Sequence, residues 1–130
     1  MTCFWKGIMG GLTNKDFTIY GETKTTNSNL IQLLQKKNKQ TEQVYWNDQS
    51  LRKRELEENF TAVQNYNINT IQNGHLCSTC DYMLLLICDI FNINIHHKYL
   101  NKTMTYTKPT NHQALFVQSN KGHFWFVKRV

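Results

Sequence analysis

The hydrophobic positions change period once along this chain, and that change divides it. From Phe4 to Phe91 apolar residues recur mostly at helical spacing, and from Ile93 onward mostly at every second position. Phe4, Trp5, Ile8 and Leu12 stand one, three and four apart and predict a first helix packed on a core. Thr13-Asn14-Lys15-Asp16 reads as a loop, and Phe17 to Gly21 as a short extended piece or turn. Leu30, Ile31, Leu33 and Leu34 form one face of a second helix, capped by Asn27 or Ser28. Asn47-Asp48-Gln49-Ser50 breaks the apolar Val44-Tyr45-Trp46. Ser50 then offers a cap for a third helix bearing Leu56, Phe60 and Val63. A polar connection, Tyr66 to His75 with the turn signal Asn73-Gly74, leads to the most apolar helix, Asp81 to Phe91, for which Thr79 is a candidate cap. Beyond it Ile93 and Ile95 alternate with Asn92, Asn94 and His96 as a half-buried strand, and Tyr99 to Tyr106 reads as a second, weaker one. Gln113 to Gln118 and His123 to Val127, joined by Ser119-Asn120-Lys121-Gly122, predict a closing hairpin. Helices first and strands last indicate an α+β architecture, several helices packed on a small, mostly antiparallel sheet in a single domain over 1–130.

Composition narrows the class. With 130 residues, 40% hydrophobic, and a single proline, the chain has enough apolar surface for one real core and little sign of disordered linker. No apolar run approaches the roughly 18 residues of a membrane span. No charged-then-apolar leader opens the sequence, so a secretory signal is not expected and a cytoplasmic location is. Cys77, Cys80 and Cys88 lie in or beside one apolar helix pattern, which suits reduced thiols better than a disulfide framework. The net charge of +6 would suit an acidic partner. Yet Glu42, Asp48, Glu55, Glu57 and Glu58 interrupt the clusters Lys36–Lys39 and Arg52–Arg54, which indicates a solvated face rather than a nucleic-acid stripe.

Two positions carry candidate chemistry. Cys3 opens the first helix, where unpaired backbone N–H groups and the positive end of the dipole favour the thiolate. Cysteine is also a common core residue, and Cys3 fits that role too. His123 begins the final strand directly after a glycine, and is either a bonded core histidine or a base aimed into a cleft. Phe124 to Val127 are apolar on both faces, so the strand is expected to be covered from both sides. A nucleophile at a helix start plus a histidine on a rigid strand is the minimum for a cysteine hydrolase, paired across the fold. A metal site is the rival. Cys77-Ser78-Thr79-Cys80 has ligand spacing, with His75, Cys88, His96 or His97 to complete it. A lone C-x-x-C is weak, and Cys80 and Cys88 stand about 12 Å apart on one continuous helix, so no metal is expected. His96-His97 reads as a strand end. No cofactor is implied.

Cys3-Phe4-Trp5-Lys6-Gly7-Ile8 resembles the segment around the nucleophile of the ovarian-tumour (OTU) cysteine proteases, where a cysteine and two bulky apolar residues start a helix. In order, Leu51-Arg52, Gly74 to Phe91, Ile93-Asn94-Ile95, Ala114 to Val117 and Gly122-His123-Phe124 look like later OTU segments, the last being the hairpin with the catalytic histidine. Compact viral OTU domains are the most similar in length and loop pattern. The resemblance implies a papain-like OTU fold and a deubiquitinase-type isopeptidase, monomeric, with Cys3 as nucleophile, His123 as base and ubiquitin or a ubiquitin-like protein as partner. In a viral protein the site of action would be the host cytoplasm. The sequence departs from the family in two ways. Only Met1 and Thr2 precede Cys3, where the family has an Asp-Gly-containing loop, and Trp125 occupies the position that can hold the histidine-orienting residue. No third triad member is assigned, so the alternative implied is a catalytically impaired domain that binds ubiquitin or a host protein.

Overall fold

A computed structural model describes residues 3–24, 26–68 and 81–130. Its described residues form a mixed α/β fold with five helices and one six-stranded sheet. The helices are α1 (Cys3–Gly11), α2 (Asn14–Thr18), α3 (Asn27–Lys36), α4 (Lys53–Gln64) and α5 (Asp81–Phe91). The strands are β1 (Tyr45–Trp46), β2 (Gln49–Ser50), β3 (Ile93–Tyr99), β4 (Lys102–Thr107), β5 (Gln113–Ser119) and β6 (Phe124–Arg129). They run in the order β2-β1-β4-β3-β5-β6. Every neighbouring pair is antiparallel except β3 with β5. Among the described residues no helix is long and apolar enough to cross a membrane.

The core is one cluster in which α5 is buried along its whole inner length, Met83 to Phe91, between the sheet and the other helices. Asn92 follows in the left-handed region at φ 54 and ends the helix, so that Ile93 starts β3 directly. Asp89, facing inward from α5, is held by Lys108, whose ammonium donates to Asp89 Oδ1 at 3.1 Å and to Asn92 Oδ1 at 2.8 Å. Lys39 reaches the same carboxylate at 3.4 Å, and Lys37 lies over the Tyr20 ring. Two members of the 36–39 lysine cluster thus have partners within the fold.

Several expectations change. The loop expected over 13–16 is the start of α2. Thr13 lies before it in extended backbone, and its N–H donates to Asp16 Oδ2 at 2.7 Å. Phe17 is therefore a buried helical residue rather than part of an extended piece. Asn47-Asp48 does not end a segment but turns it. Both residues have positive φ (53 and 65), the requirement of the tight turn that joins β1 to β2. Thr26, not Asn27 or Ser28, caps α3, its hydroxyl accepting from Asn29 N–H. Arg52 rather than Ser50 precedes α4, and its N–H is capped by Glu55 at 3.0 Å. Phe60 lies on the exposed side of α4 while Leu56 and Val63 are buried. His96 and His97 sit in the middle of β3, which extends to Tyr99. His97 is fully buried, with Nε2 2.6 Å from Ser119 Oγ, and burial lowers its pKa to about 4 despite the opposing charge of Asp81. β6 is an edge strand covered on one side only. Phe124 is buried, whereas Trp125 and Val127 are exposed.

Candidate functional site

The site is made by the way α1 lies on the closing hairpin. Gly7 and Gly11 sit on the face of α1 that meets β5 and β6. A Cβ at Gly7 would come within 2.7 Å of the Phe124 ring and 3.3 Å of the Trp125 Cα, and one at Gly11 within 2.2 Å of Leu115 Cδ1. Only glycine lets the helix axis approach this closely, and the gap is filled by rings: Phe4 packs on Phe124 with centroids 4.8 Å apart. On the other side of α1 the fully buried Trp5 donates its indole N–H to Tyr66 Oη at 3.1 Å. At the far end of β6 the Arg129 guanidinium grips Asp16 through two oxygens, at 2.5 and 2.8 Å, and donates to Gly11 O at 3.1 Å. Burial alone would raise the Asp16 carboxyl; the Arg129 hydrogen bonds and charge, with Thr13, hold it below its ordinary value instead.

Held in this way, the start of α1 faces the start of β6. Cys3 Sγ lies 3.7 Å from His123 Nδ1, within the range of a sulfur hydrogen bond. His123 is the last loop residue before β6, and Asn120 fixes its backbone. Asn120 Oδ1 accepts from the N–H groups of Gly122 and His123, both at 2.9 Å, and Asn120 N–H donates to His123 O at 2.9 Å. The imidazole is exposed and the thiol half-buried. Both open onto a cleft of about 410 Å³ lined by Cys3, Lys6 and Gly7 of α1 and by residues 123–126. Among the described residues no side chain hydrogen-bonds His123 Nε2, and Trp125, two residues on, is exposed.

The structure therefore brings together the two residues singled out as nucleophile and base. The remaining described thiol is of another kind. Cys88 is fully buried, touches Tyr106 O and Asn111, and burial pushes its pKa up to about 12. His75, Cys77 and Cys80, on which the metal reading turned, and Thr79, the candidate cap of α5, lie outside the described residues. Among those described, no three His, Cys, Asp or Glu side chains form a group that could hold a metal ion.

Other contributors were not singled out in the sequence. Gly7, Gly10 and Gly11 at spacing three and one form a small-residue helix face, a legible sign that something packs closely there. Asn120, within a turn-rich run, gives the usual signal of a side chain bonding its own backbone. Arg129 gives no such signal, because its partner is 113 residues away.

Fold and site together define a mixed α/β domain with a cysteine–histidine pair in an aromatic-walled cleft. No protein-family model matches the chain, and neither does any curated protein or solved structure with which it was compared.

Proposed function

We propose that this protein is a thiol-dependent isopeptidase of the OTU type, acting on ubiquitin or ubiquitin-like conjugates through Cys3 and His123. The observation that carries the reading is the 3.7 Å separation of Cys3 Sγ and His123 Nδ1 at the mouth of a cleft, between elements 120 residues apart in sequence. The order of elements also supports it: nucleophile helix, helical middle, buried helix running into a strand, and closing hairpin with the histidine.

In this reading His123 Nδ1 takes the Cys3 proton, and the thiolate attacks the isopeptide carbonyl. The helix start supplies backbone N–H groups without intrahelical acceptors, the kind of donor that stabilises an oxyanion. The imidazolium then protonates the departing lysine amine, leaving a Cys3 thioester. Water, deprotonated by the same imidazole, releases the modifier's carboxylate and restores the thiol.

The test uses ubiquitin carrying a thiol-reactive C-terminus. Wild type should form a covalent adduct at Cys3, and Cys3→Ala should form none while binding ubiquitin as well as wild type. His123→Ala should slow adduct formation by about a hundredfold or more, the usual contribution of a positioned base. Equal labelling of wild type and Cys3→Ala, or no ubiquitin binding by either, would refute the assignment.

A further inference from the structure

Charge is segregated along this chain. Residues 1–89 hold nine basic and nine acidic residues, whereas residues 90–130 hold six basic residues and no Asp or Glu. The whole net charge of +6 therefore belongs to the half that builds β3 to β6. Two of its cations, Lys108 and Arg129, are matched to Asp89 and Asp16. Lys98, Lys102, Lys121 and Lys128 form no ion pair among the described residues.

Strand alternation buries Ile95, His97, Leu115 and Val117 and sends the residues between them to the opposite face of the sheet. The described helices all bury apolar residues in the one core, and so leave this second face open. Two cross-strand rows occupy it. Register aligns Thr105, His96, Phe116 and Lys128 in one, and Thr103, Lys98, Gln118 and Trp125 in the next. The His96 and Phe116 rings are stacked flat, with centroids 4.5 Å apart and planes 7° from parallel, and the Lys128 ammonium lies 5.0 Å over the Phe116 ring. Burial lowers the His96 pKa against the charge of Asp48 in the β1–β2 turn, which keeps the ring neutral at pH 7. Thr105, on the far side of His96, is too short to cover a ring. Trp125 is 40% exposed. A flat aromatic stack beside ammonium groups that no carboxylate neutralises matches planar bases carried on a phosphate chain. Neighbouring strands stand about 4.8 Å apart, so β4 to β6 span roughly 14 Å, room for about two or three nucleotides.

We propose that the open face of β4, β3, β5 and β6 binds single-stranded nucleic acid. Bases extend the His96–Phe116 stack and rest on Trp125, while Lys98 and Lys128 hold phosphates. This binding is independent of the chemistry of Cys3 and His123, whose cleft lies where α1 meets β6.

The test is fluorescence anisotropy of the whole chain with end-labelled single strands of about 12 nucleotides, one RNA and one DNA, and with a DNA duplex of equal length, at about 50 mM salt. The single strands should bind at least about tenfold more tightly than the duplex. A preference for the RNA strand assigns the face to RNA through its 2′-hydroxyls, and equal binding assigns it to either strand. Trp125→Ala should weaken binding by about fivefold or more and leave its salt dependence unchanged, since it removes a stacking surface. Lys98→Gln with Lys128→Gln should weaken binding and make the slope of log Kd against log salt shallower by about 1.4, or about 0.7 for each phosphate contact. Lys53→Gln with Arg54→Gln removes the same charge from α4 and should leave Kd within about twofold. All five positions are exposed, and an unchanged Tm verifies that each variant is folded. No binding of either strand at about 100 µM protein, equal affinity for the duplex, or an equal loss in the α4 variant would overturn the proposal. So would a poly-glutamate peptide that competes as well as unlabelled oligonucleotide, which would assign the face to an acidic protein instead.

Discussion

Replacing Gly7 by alanine isolates what the α1–β6 contact does. In an open helix this change would stabilise by up to about 1 kcal/mol, because alanine is the better helix former. Here the new methyl would lie 2.7 Å from Phe124 Cδ1, 3.0 Å from Cε1 and 3.3 Å from the Trp125 Cα. The ring cannot swing away freely, since it is buried between Phe4 and His97. Nor can the backbone carbon rotate aside. Relief must come from α1 lifting off the hairpin, an overpacking cost of about 1–3 kcal/mol. The net expectation is a loss of about 1–2 kcal/mol, or several degrees in Tm for a chain of this size. Gly10→Ala is the matched control on the same helix. Its methyl would meet Phe126 Cβ at 3.6 Å, ordinary contact, so propensity should win and stability should rise by about 0.5–1 kcal/mol. Urea titration of the three proteins with a common m-value measures the difference. Because the lift begins one turn from Cys3, Gly7→Ala should also slow Cys3 alkylation at pH 7 by about tenfold, and Gly10→Ala should leave it unchanged. Equal or greater stability in Gly7→Ala, with unchanged Cys3 reactivity, would refute the close-packing account.

Three further outcomes are expected. The folded pKa of His97, about 4, lies below the ordinary 6.5, so the unfolded chain binds the extra proton first as pH falls. Stability should be full above pH 6.5 and decline towards pH 4 by up to about 3 kcal/mol; urea midpoints across that range should show this decline, and His97→Phe should flatten it. Lys108→Met should cost about 3 kcal/mol in chemical denaturation, because it strips a buried carboxylate, Asp89, of its closest cation and leaves only the more exposed Lys39. Alkylation at pH 8 should modify Cys3 well before Cys88, and peptide mapping should find Cys88 modified only after denaturation; equal rates would contradict the burial of its thiol.

What the residue pattern revealed depended on how far each interaction reaches. α5 was legible to the residue, because its apolar run, Asp81 in the first turn and the polar Asn92 are all local. β5 and β6 were legible as two short, mostly apolar runs joined by a glycine-bearing turn. α2 was not, since five residues with one apolar side chain have too little periodicity to register, and the helix is held by Thr13, Asp16 and a distant arginine. The β1–β2 turn was missed because Asn-Asp lacks the glycine that usually marks two positive φ values in succession. The exposure of Trp125 and Val127 follows from α1 lying against the Phe124 and Phe126 side of β6 and leaving the other side open, which is a property of tertiary packing and not of the strand's own residues. Cys3 and His123 could be nominated from their neighbourhoods, but their separation could not, for it depends on Gly7, Gly11 and Arg129 acting together.

The pairing of α1 with β6 also sets a time at which the site can exist. On the ribosome α1 emerges first and β6 after every other described element, at a pace of about 5–20 residues per second. Until β6 clears the exit tunnel, the α1 cysteine has no imidazole, and the face of α1 bearing Gly7 and Gly11 lies bare. For those seconds the nascent chain carries an inert thiol and an unpaired apolar helix, the condition in which a holding chaperone would find it.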